Sequence, residues 1–298
     1  MKKKIYLEEE IIQSPHYPNE KNTDILVISD LHYHDNDDPT WYILLMDEII
    51  KQNPDYIIMP GDIFDTNLNS TKSKQFFERF IRCITEVCPV IAIAGNHDIA
   101  SFDTKSFFSR KYGKNEKALS YLRFLSTIPN FYYLDNEQLQ LGDLFIYGLN
   151  PRYETYLKYR DRRTEDLFIE DYLKCNFHIS EGNYNILLNH SPHLLCNERV
   201  CQAISDFKLF DLGIAGHEHD GYLPKILDPY LKNTDVGLFF MPLVFPVPGA
   251  PCRGVREFGR GYLFISQGFA KWNSGICSIV NGITEHDIER VKIMKKSL

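Results

Sequence analysis

The chain has little of what marks a secreted, fibrous or membrane-spanning protein. Its 298 residues include seven cysteines, an odd number without a CxxC pair: Cys83, Cys88, Cys175, Cys196, Cys201, Cys252 and Cys277. Neither a disulfide framework nor a zinc ribbon fits that pattern, and reduced, mostly buried thiols are expected. No run approaches the roughly 18–20 apolar residues of a membrane span. Lys2-Lys3-Lys4 is followed by Glu8-Glu9-Glu10, where a signal peptide would turn apolar. Positive charge is also short, 33 Lys and Arg against 40 Asp and Glu, for a net charge of -7. That balance gives no strong nucleic-acid signal and excludes a surface built to wrap duplexes, although a local basic groove is compatible with it. Internal repeats and low-complexity tracts are missing too. The expected protein is cytoplasmic, with any membrane association peripheral.

What is present is a large apolar share, 44% of residues, sufficient for one sizeable core over residues 1–298. Asp24 to Ser29 is a short β-branched run, and Asp38-Pro39 is a helix start with proline at the first helical position. A helix is predicted from there to Gln52, a strand at Tyr56 to Pro60, a helix at Lys72 to Glu86 and a strand at Pro89 to Ala94. This is the rhythm of a parallel sheet. Further strands are predicted at Phe131 to Leu134, Leu144 to Leu149, Asn185 to Leu188, Leu209 to Ala215, Tyr262 to Ser266, Gly275 to Val280 and His286 to Ile293. Residues 99–177 read as a cap-like segment, with a charged, tyrosine-rich helical stretch from Tyr153 to Tyr172. Residues 221–260 read as a substrate loop, irregular from Val244 to Arg260.

Five blocks in fixed order carry metal-type side chains: Asp30-Leu31-His32, Gly61-Asp62-Ile63-Phe64-Asp65, Gly95-Asn96-His97-Asp98, Asn189-His190 and Gly216-His217-Glu218-His219. Each follows a predicted strand or opens on a glycine. Asp30 and Asp62 are 32 residues apart and Asp62 and Asn96 34, close to one βαβ unit each. Adjacent parallel strands therefore bring the blocks to one sheet edge, where such folds gather their ligands. Two divalent ions held about 3.5–4 Å apart need a bridging ligand, and Asp62 is the natural one. One ion then takes Asp30, His32 and His219, the other Asn96, His190 and His217. A water shared by two cations ionises near neutral pH, which suits phosphate ester hydrolysis. His97, spare in that ligand count, is the candidate proton donor to the leaving oxygen, oriented by Asp65 or Asp98.

Other residues carry two readings each. Arg152 can fork onto a substrate phosphate or make a surface ion pair. His34 can face the substrate or simply be a solvated loop residue, and His193 can help at the rim. His16, His178 and His286 read as surface or packing residues. Asp35, Asp37 and Asp38 lack the glycine and terminal glutamate of a calcium loop. Arg253, Arg256 and Arg260, beside Leu243 to Pro248, can meet a lipid headgroup or fold back on their own protein.

The blocks resemble the calcineurin-like metallophosphoesterase superfamily, with its DxH, GDxxD, GNH(D/E), lone His and GHxH pattern, all intact from Asp30 to His219. The resemblance implies an α/β fold, a four-layer αββα sandwich with two mixed sheets, and two divalent metal ions: manganese, with iron or zinc as alternatives. It also implies the ligand roles above, with His97 as general acid. Gln13-Ser14-Pro15, ISDLH, GDIFD, NHSP, Gly216 to Gly221 and a late Tyr-Leu-Phe-Ile-Ser-Gln-Gly segment are similar to a bacterial branch often tethered by an N-terminal membrane helix. Some of its members act on lipid-linked sugar nucleotides such as UDP-diacylglucosamine. Here Glu218 and Asp220 replace that branch's usual threonine and glycine, and no tether is expected. The expectation is a phosphoester hydrolase acting on a phosphorylated small-molecule or lipid-linked substrate, with ester type and oligomeric state open. The alternatives are a protein phosphatase and a non-catalytic dimetal scaffold.

Overall fold

The computed structural model describes residues 4–35, 37–65, 69–102, 112–156, 162–217, 236–239, 245–248, 253–269 and 286–296. Successive side chains of a strand face opposite sides of its sheet, and here both sides are apolar. In the strand Thr23–Val27, Leu26 points to one hydrophobic cluster while Ile25 and Val27 point to another. Tyr56–Met59 repeats this with Ile57 and Met59 against Ile58, and Val90–Ala92 with Val90 and Ala92 against Ile91. The first cluster lies under the helices Pro39–Gln52, Thr71–Thr85 and Glu116–Leu125. The second lies between two sheets, where Ile25, Val27, Ile58 and Ile91 meet Ile146, Ile186, Leu188, Ile214 and Phe264. A third joins Leu187, Leu263 and Ile265, on the far face of the second sheet, to Phe168, Tyr172, Val200 and Phe207. Three apolar interfaces thus separate four layers, helices, sheet, sheet, helices, and the expected αββα sandwich is borne out.

Both sheets are mixed. The first runs Ile5–Ser14, His286–Lys295, Thr23–Val27, Tyr56–Met59, Val90–Ala92, Phe131–Tyr133, with His286–Lys295 antiparallel to Thr23–Val27 and every other neighbouring pair parallel. The second runs Gly254–Phe258, Gly261–Ile265, Leu212–Ala215, Tyr184–Asn189, Leu144–Leu149, Gln138–Leu141, parallel except for its two edge strands. The first long helix begins as predicted: Asp38 accepts a hydrogen bond from Thr40 N and Pro39 comes next. Asn53, in left-handed backbone, ends it.

Two loop readings change. The stretch Tyr153 to Tyr172, expected as a helical cap, forms a single 3-10 turn at Tyr153–Tyr156 and a helix at Arg162–Cys175. That helix buries Phe168 and Tyr172, four residues apart and so on one face, in the outer layer of the second sheet. Part of the expected irregular loop from Val244 is regular: Phe245–Pro248 pairs with Val236–Phe239, and Gly254–Phe258 with Gly261–Ile265. The second hairpin closes through Gly259 and Arg260, with Gly259 at φ +59°, the left-handed first turn position that favours glycine. The expected strand Gly275 to Val280 and most of the expected substrate loop lie outside the described residues. Among the described residues, no helix is long and apolar enough to cross a membrane.

The inter-sheet cluster sets a stability expectation. Ile186 is fully buried there, so Ile186→Ala should cost about 2–5 kcal/mol. Leu209→Ala, at a 42% exposed residue, should stay within about 0.5 kcal/mol. Urea unfolding of the two variants checks this, and equal shifts of the midpoint would contradict the assigned core.

Candidate metal centre

The residues after five parallel strands meet at one edge of the sandwich. Asp30 follows Thr23–Val27, Asp62 follows Tyr56–Met59 and Asn96 follows Val90–Ala92, all in the first sheet. His190 follows Tyr184–Asn189 and His217 follows Leu212–Ala215, in the second. The site is therefore closed across the sheets: His217 N donates to both carboxylate oxygens of Asp30, at 3.1 and 3.2 Å, and His190 Nε2 lies 3.2 Å from Asp62 Oδ2.

Three of these residues, together with His32, hold left-handed backbone: Asp30 (φ 54°), Asp62 (φ 49°) and His217 (φ 76°), with His32 at φ 44°. Such conformations cost on the order of 1–3 kcal/mol each and persist where the surroundings over-determine them. Here they turn carboxylates and imidazoles back over the strand ends. The motif glycines make room for that. A Cβ on Gly95 would overlap Asp62, and one on Gly216 would overlap the Ser29 hydroxyl and lie 2.6 Å from Asp30 Oδ2.

Asp62 is common to two groups whose ligand atoms all lie within 4.8 Å of one another: His32, Asp62 and His97, and Asp62, His190 and His217. Asn96 Oδ1 lies 3.1 Å from His190 Nε2 and 2.8 Å from His217 Nδ1, so the amide belongs to the second group. His190 Nδ1 faces the Pro60 carbonyl at 2.8 Å. Donating its proton there leaves Nε2 with a lone pair toward Asp62 and Asn96, the tautomer a metal ligand needs. A donor set of carboxylates, imidazoles and one amide suits divalent manganese, iron or zinc.

A model of the calcineurin-like phosphoesterase family matches residues 23–221. The chain belongs to that family. Within this calcineurin-like phosphoesterase, the matched region runs through all five blocks. The chain is 25% identical over 207 residues to an uncharacterized metallophosphoesterase of Campylobacter jejuni, covering 69% of this chain and 46% of the relative. It is 31% identical over 138 residues to the DNA double-strand break repair protein Mre11 of Sulfurisphaera tokodaii, covering 43% of this chain and 33% of the relative. The chain thus spans less than half the length of these curated relatives. Among solved structures it is similar to TT1561 of Thermus thermophilus, at 12% identity and TM-score 0.41, over 81% of this chain and 97% of that one. A dimetal phosphatase from Danio rerio is similar at 11% and 0.36, over 83% and 87%.

The remaining candidates of this calcineurin-like phosphoesterase separate clearly. His97 lies edge-on to His32, with ring centres 4.6 Å apart, its own amide donating to Asp62 Oδ1 at 2.8 Å. Its Nδ1 meets Asp65 Oδ1 at 3.2 Å. Asp98, the other carboxylate expected to orient His97, instead accepts from the amides of Ile63, Phe64 and Gly95 at 2.8–3.0 Å, binding two ligand loops together. Arg152 forks onto Asp171, with Glu170 alongside, so the fork expected for a substrate phosphate is taken up by protein carboxylates. His34 belongs to neither group of ligand atoms, and its amide donates to Asp37 Oδ2 at 2.8 Å. His193 sits beside His217, ring centres 6.1 Å apart. His219 lies outside the described residues. Sequence reasoning missed Ser29, whose hydroxyl donates to Asp30, and the Pro60 carbonyl that sets the His190 tautomer. No side-chain pattern announces a backbone carbonyl. Ser29, directly before Asp30, was the one available signal.

Charge is set by this geometry. Burial alone would raise Asp62, but His190, His97 and His32 hold its carboxyl well below the usual range. Burial is the largest single influence on His190 and His97 and works against charging them, yet their acceptors together outweigh it: Asp62, Asp30 and the Pro60 carbonyl push His190 up to about 9, and Asp62, Asp65 and Asp98 push His97 upward. Burial and the Asp62 charge push Asp98 up to about 7, against its three donated amides.

These directions fix a pH dependence. A histidine raised from 6.5 to about 9 binds its proton more tightly in the folded chain, so its contribution to stability is full below pH 6.5 and is lost as pH rises toward 9. The thermal midpoint of chelator-treated protein should therefore fall across that window. The gain from added Mn2+ should grow over it, because metal and protons compete for the same donors. Differential scanning calorimetry at stepped pH measures both, and a rising midpoint in chelator would reject the charge assignment.

Proposed function

We propose that this chain is a dimetal-dependent hydrolase of phosphate esters. Asp62 would be shared by the two ions, with Asp30, His32 and His219 to hold one and Asn96, His190 and His217 to hold the other. The observation that carries this reading is the membership of Asp62 in both groups of ligand atoms, one with His190 and His217 and one with His32 and His97, of which His97 is kept as the proton donor. Two divalent ions held there, manganese foremost, would supply an activated water and positive charge for the phosphoryl oxygens.

His97 does the proton work. With Nδ1 committed to Asp65, its Nε2 carries the proton for the leaving oxygen, and the carboxylates of Asp62 and Asp65 keep the ring charged until transfer. Asp65 fixes the ring's direction. Asp98 acts at one remove, holding Gly61 to Phe64 and Gly95 to Asp98 in register. The substrate class favoured is a small phosphorylated molecule. The Mre11 relative is a DNA repair protein, but a net charge of -7 opposes a duplex substrate here.

A metal-dependent panel tests this: p-nitrophenyl phosphate, its bis ester and several nucleotide pyrophosphates, with Mn2+, Zn2+ or chelator. His97→Ala should slow substrates with poor leaving groups by about 10²–10⁴-fold and p-nitrophenyl esters less, since p-nitrophenolate departs without a proton. Asp62→Asn should retain fewer than two ions per chain by elemental analysis. No turnover with any metal, together with unchanged rates for His97→Ala, rejects the reading.

A further inference from the structure

One buried carboxylate outside the ligand blocks has partners that lead to the site. Glu289 is 2% exposed in the strand His286–Lys295, opposite Val27 of the strand that delivers Asp30. Its Oε1 accepts from Gln267 N at 2.6 Å and its Oε2 from the Ser266 hydroxyl at 2.9 Å. The same hydroxyl accepts from Gly268 N at 3.2 Å. Ser266 to Phe269 leaves the end of Gly261–Ile265 in the second sheet and crosses to the first, where Phe269 N donates to Ser29 O at 2.8 Å. Phe269 is buried in the first sheet's helix-side cluster.

On the way the segment passes Asp30. Gly268, at φ +83°, lies so close that a Cβ there would stand 3.0 Å from Asp30 Cβ and 3.3 Å from Oδ2. Gln267 pins the segment from its other side: its Nε2 donates to Glu8 Oε2 at 2.6 Å, and its Oε1 accepts from the buried Arg253 at 3.1 Å. Burial, with Asp287 and Glu8 nearby, pushes Glu289 up to about 8 in spite of the two hydrogen bonds it accepts.

We propose that Glu289 is a positioning residue for Asp30: by gripping Ser266 and Gln267 it seats Gly268 against the Asp30 side chain and so sets how tightly the centre holds metal. This rests on Asp30 being a metal ligand. Outer partners of ligands typically tune metal affinity by about 10–100-fold, and Glu289 acts one link further out, so the lower end applies.

The test is Mn2+ binding by equilibrium dialysis to the full chain, stripped and reloaded, with thermal midpoints recorded alongside. Glu289→Ala should weaken binding about tenfold. Glu289→Gln, whose amide oxygen still accepts from Gln267 N while its amide nitrogen donates to Ser266, should recover most of the loss. Ser266→Ala, which breaks one link and leaves the fold less disturbed, should fall between, and it carries the test should Glu289→Ala not fold. Ile49→Val, a core change in the helix Pro39–Gln52 away from the site, should lower the midpoint and leave Mn2+ affinity unchanged. Affinity at the wild-type level in Glu289→Ala and Ser266→Ala, or losses that merely track the midpoint in all variants, overturns the positioning role while the metal centre stands. Absence of Mn2+ binding in the wild type, or undiminished binding in Asp30→Asn, overturns both.

Discussion

A negative charge with almost no water around it is the constraint on which the site depends. Asp62 is 1% exposed, and an isolated carboxylate so placed would take up a proton. Three imidazoles and the His97 amide stand around it instead. Each imidazole comes from a different loop, so keeping Asp62 ionised requires the two sheets to be packed at their final spacing. The inter-sheet core and the metal centre are in this sense one structure. Ile58 and Ile186 hold apart, at the right distance, the strands that carry Asp62 and His190.

The same requirement accounts for the backbone. A carboxylate on a strand end points along its strand or to one face, and only a left-handed residue there brings it over the edge where the second sheet can reach it. Asp30 and Asp62 in the first sheet and His217 in the second all adopt that conformation. The strain is tolerable because each turn is held by bonds at both ends: Asp30 N to Gly61 O, His32 N to Asp62 O, Gly216 N to His190 O. The loops are braced against one another more than against their own strands.

The layers, and the meeting of the candidate ligand loops at one edge, are legible in the sequence because both rest on local pattern. Short β-branched runs ending in Gly-Asp, Gly-Asn or Gly-His mark buried parallel strands and the ligand loops at their ends, and Asp38-Pro39 marks a helix start that the structure reproduces. The choice among partners of one type does not show. Nothing local to Asp98 separates it from Asp65, and only the fold turns Asp98 toward three amides and Asp65 toward His97. Arg152 meets a carboxylate on a helix nearly twenty positions later, a pairing no short window contains. Proline and glycine between Val244 and Arg260 read as an irregular loop, whereas Gly259 serves as the corner of a hairpin whose strands are Gly254–Phe258 and Gly261–Ile265.

The position of His286–Lys295 bears on how the molecule is made. This strand lies between Ile5–Ser14 and Thr23–Val27, keeping apart two strands that are neighbours in sequence. On a ribosome that adds roughly 5–20 residues each second, Ile5–Ser14 waits for a partner synthesised some ten seconds or more later. Until then the open flank of Thr23–Val27 is an unpaired edge, of the kind that recruits other chains. Across the finished pair Glu9 lies opposite Arg290 and reaches Lys292 at 2.9 Å, which matches charge between the early and the late strand. A nascent strand carrying three consecutive glutamates repels copies of itself, and at Glu9 that repulsion is relieved when Arg290 and Lys292 arrive.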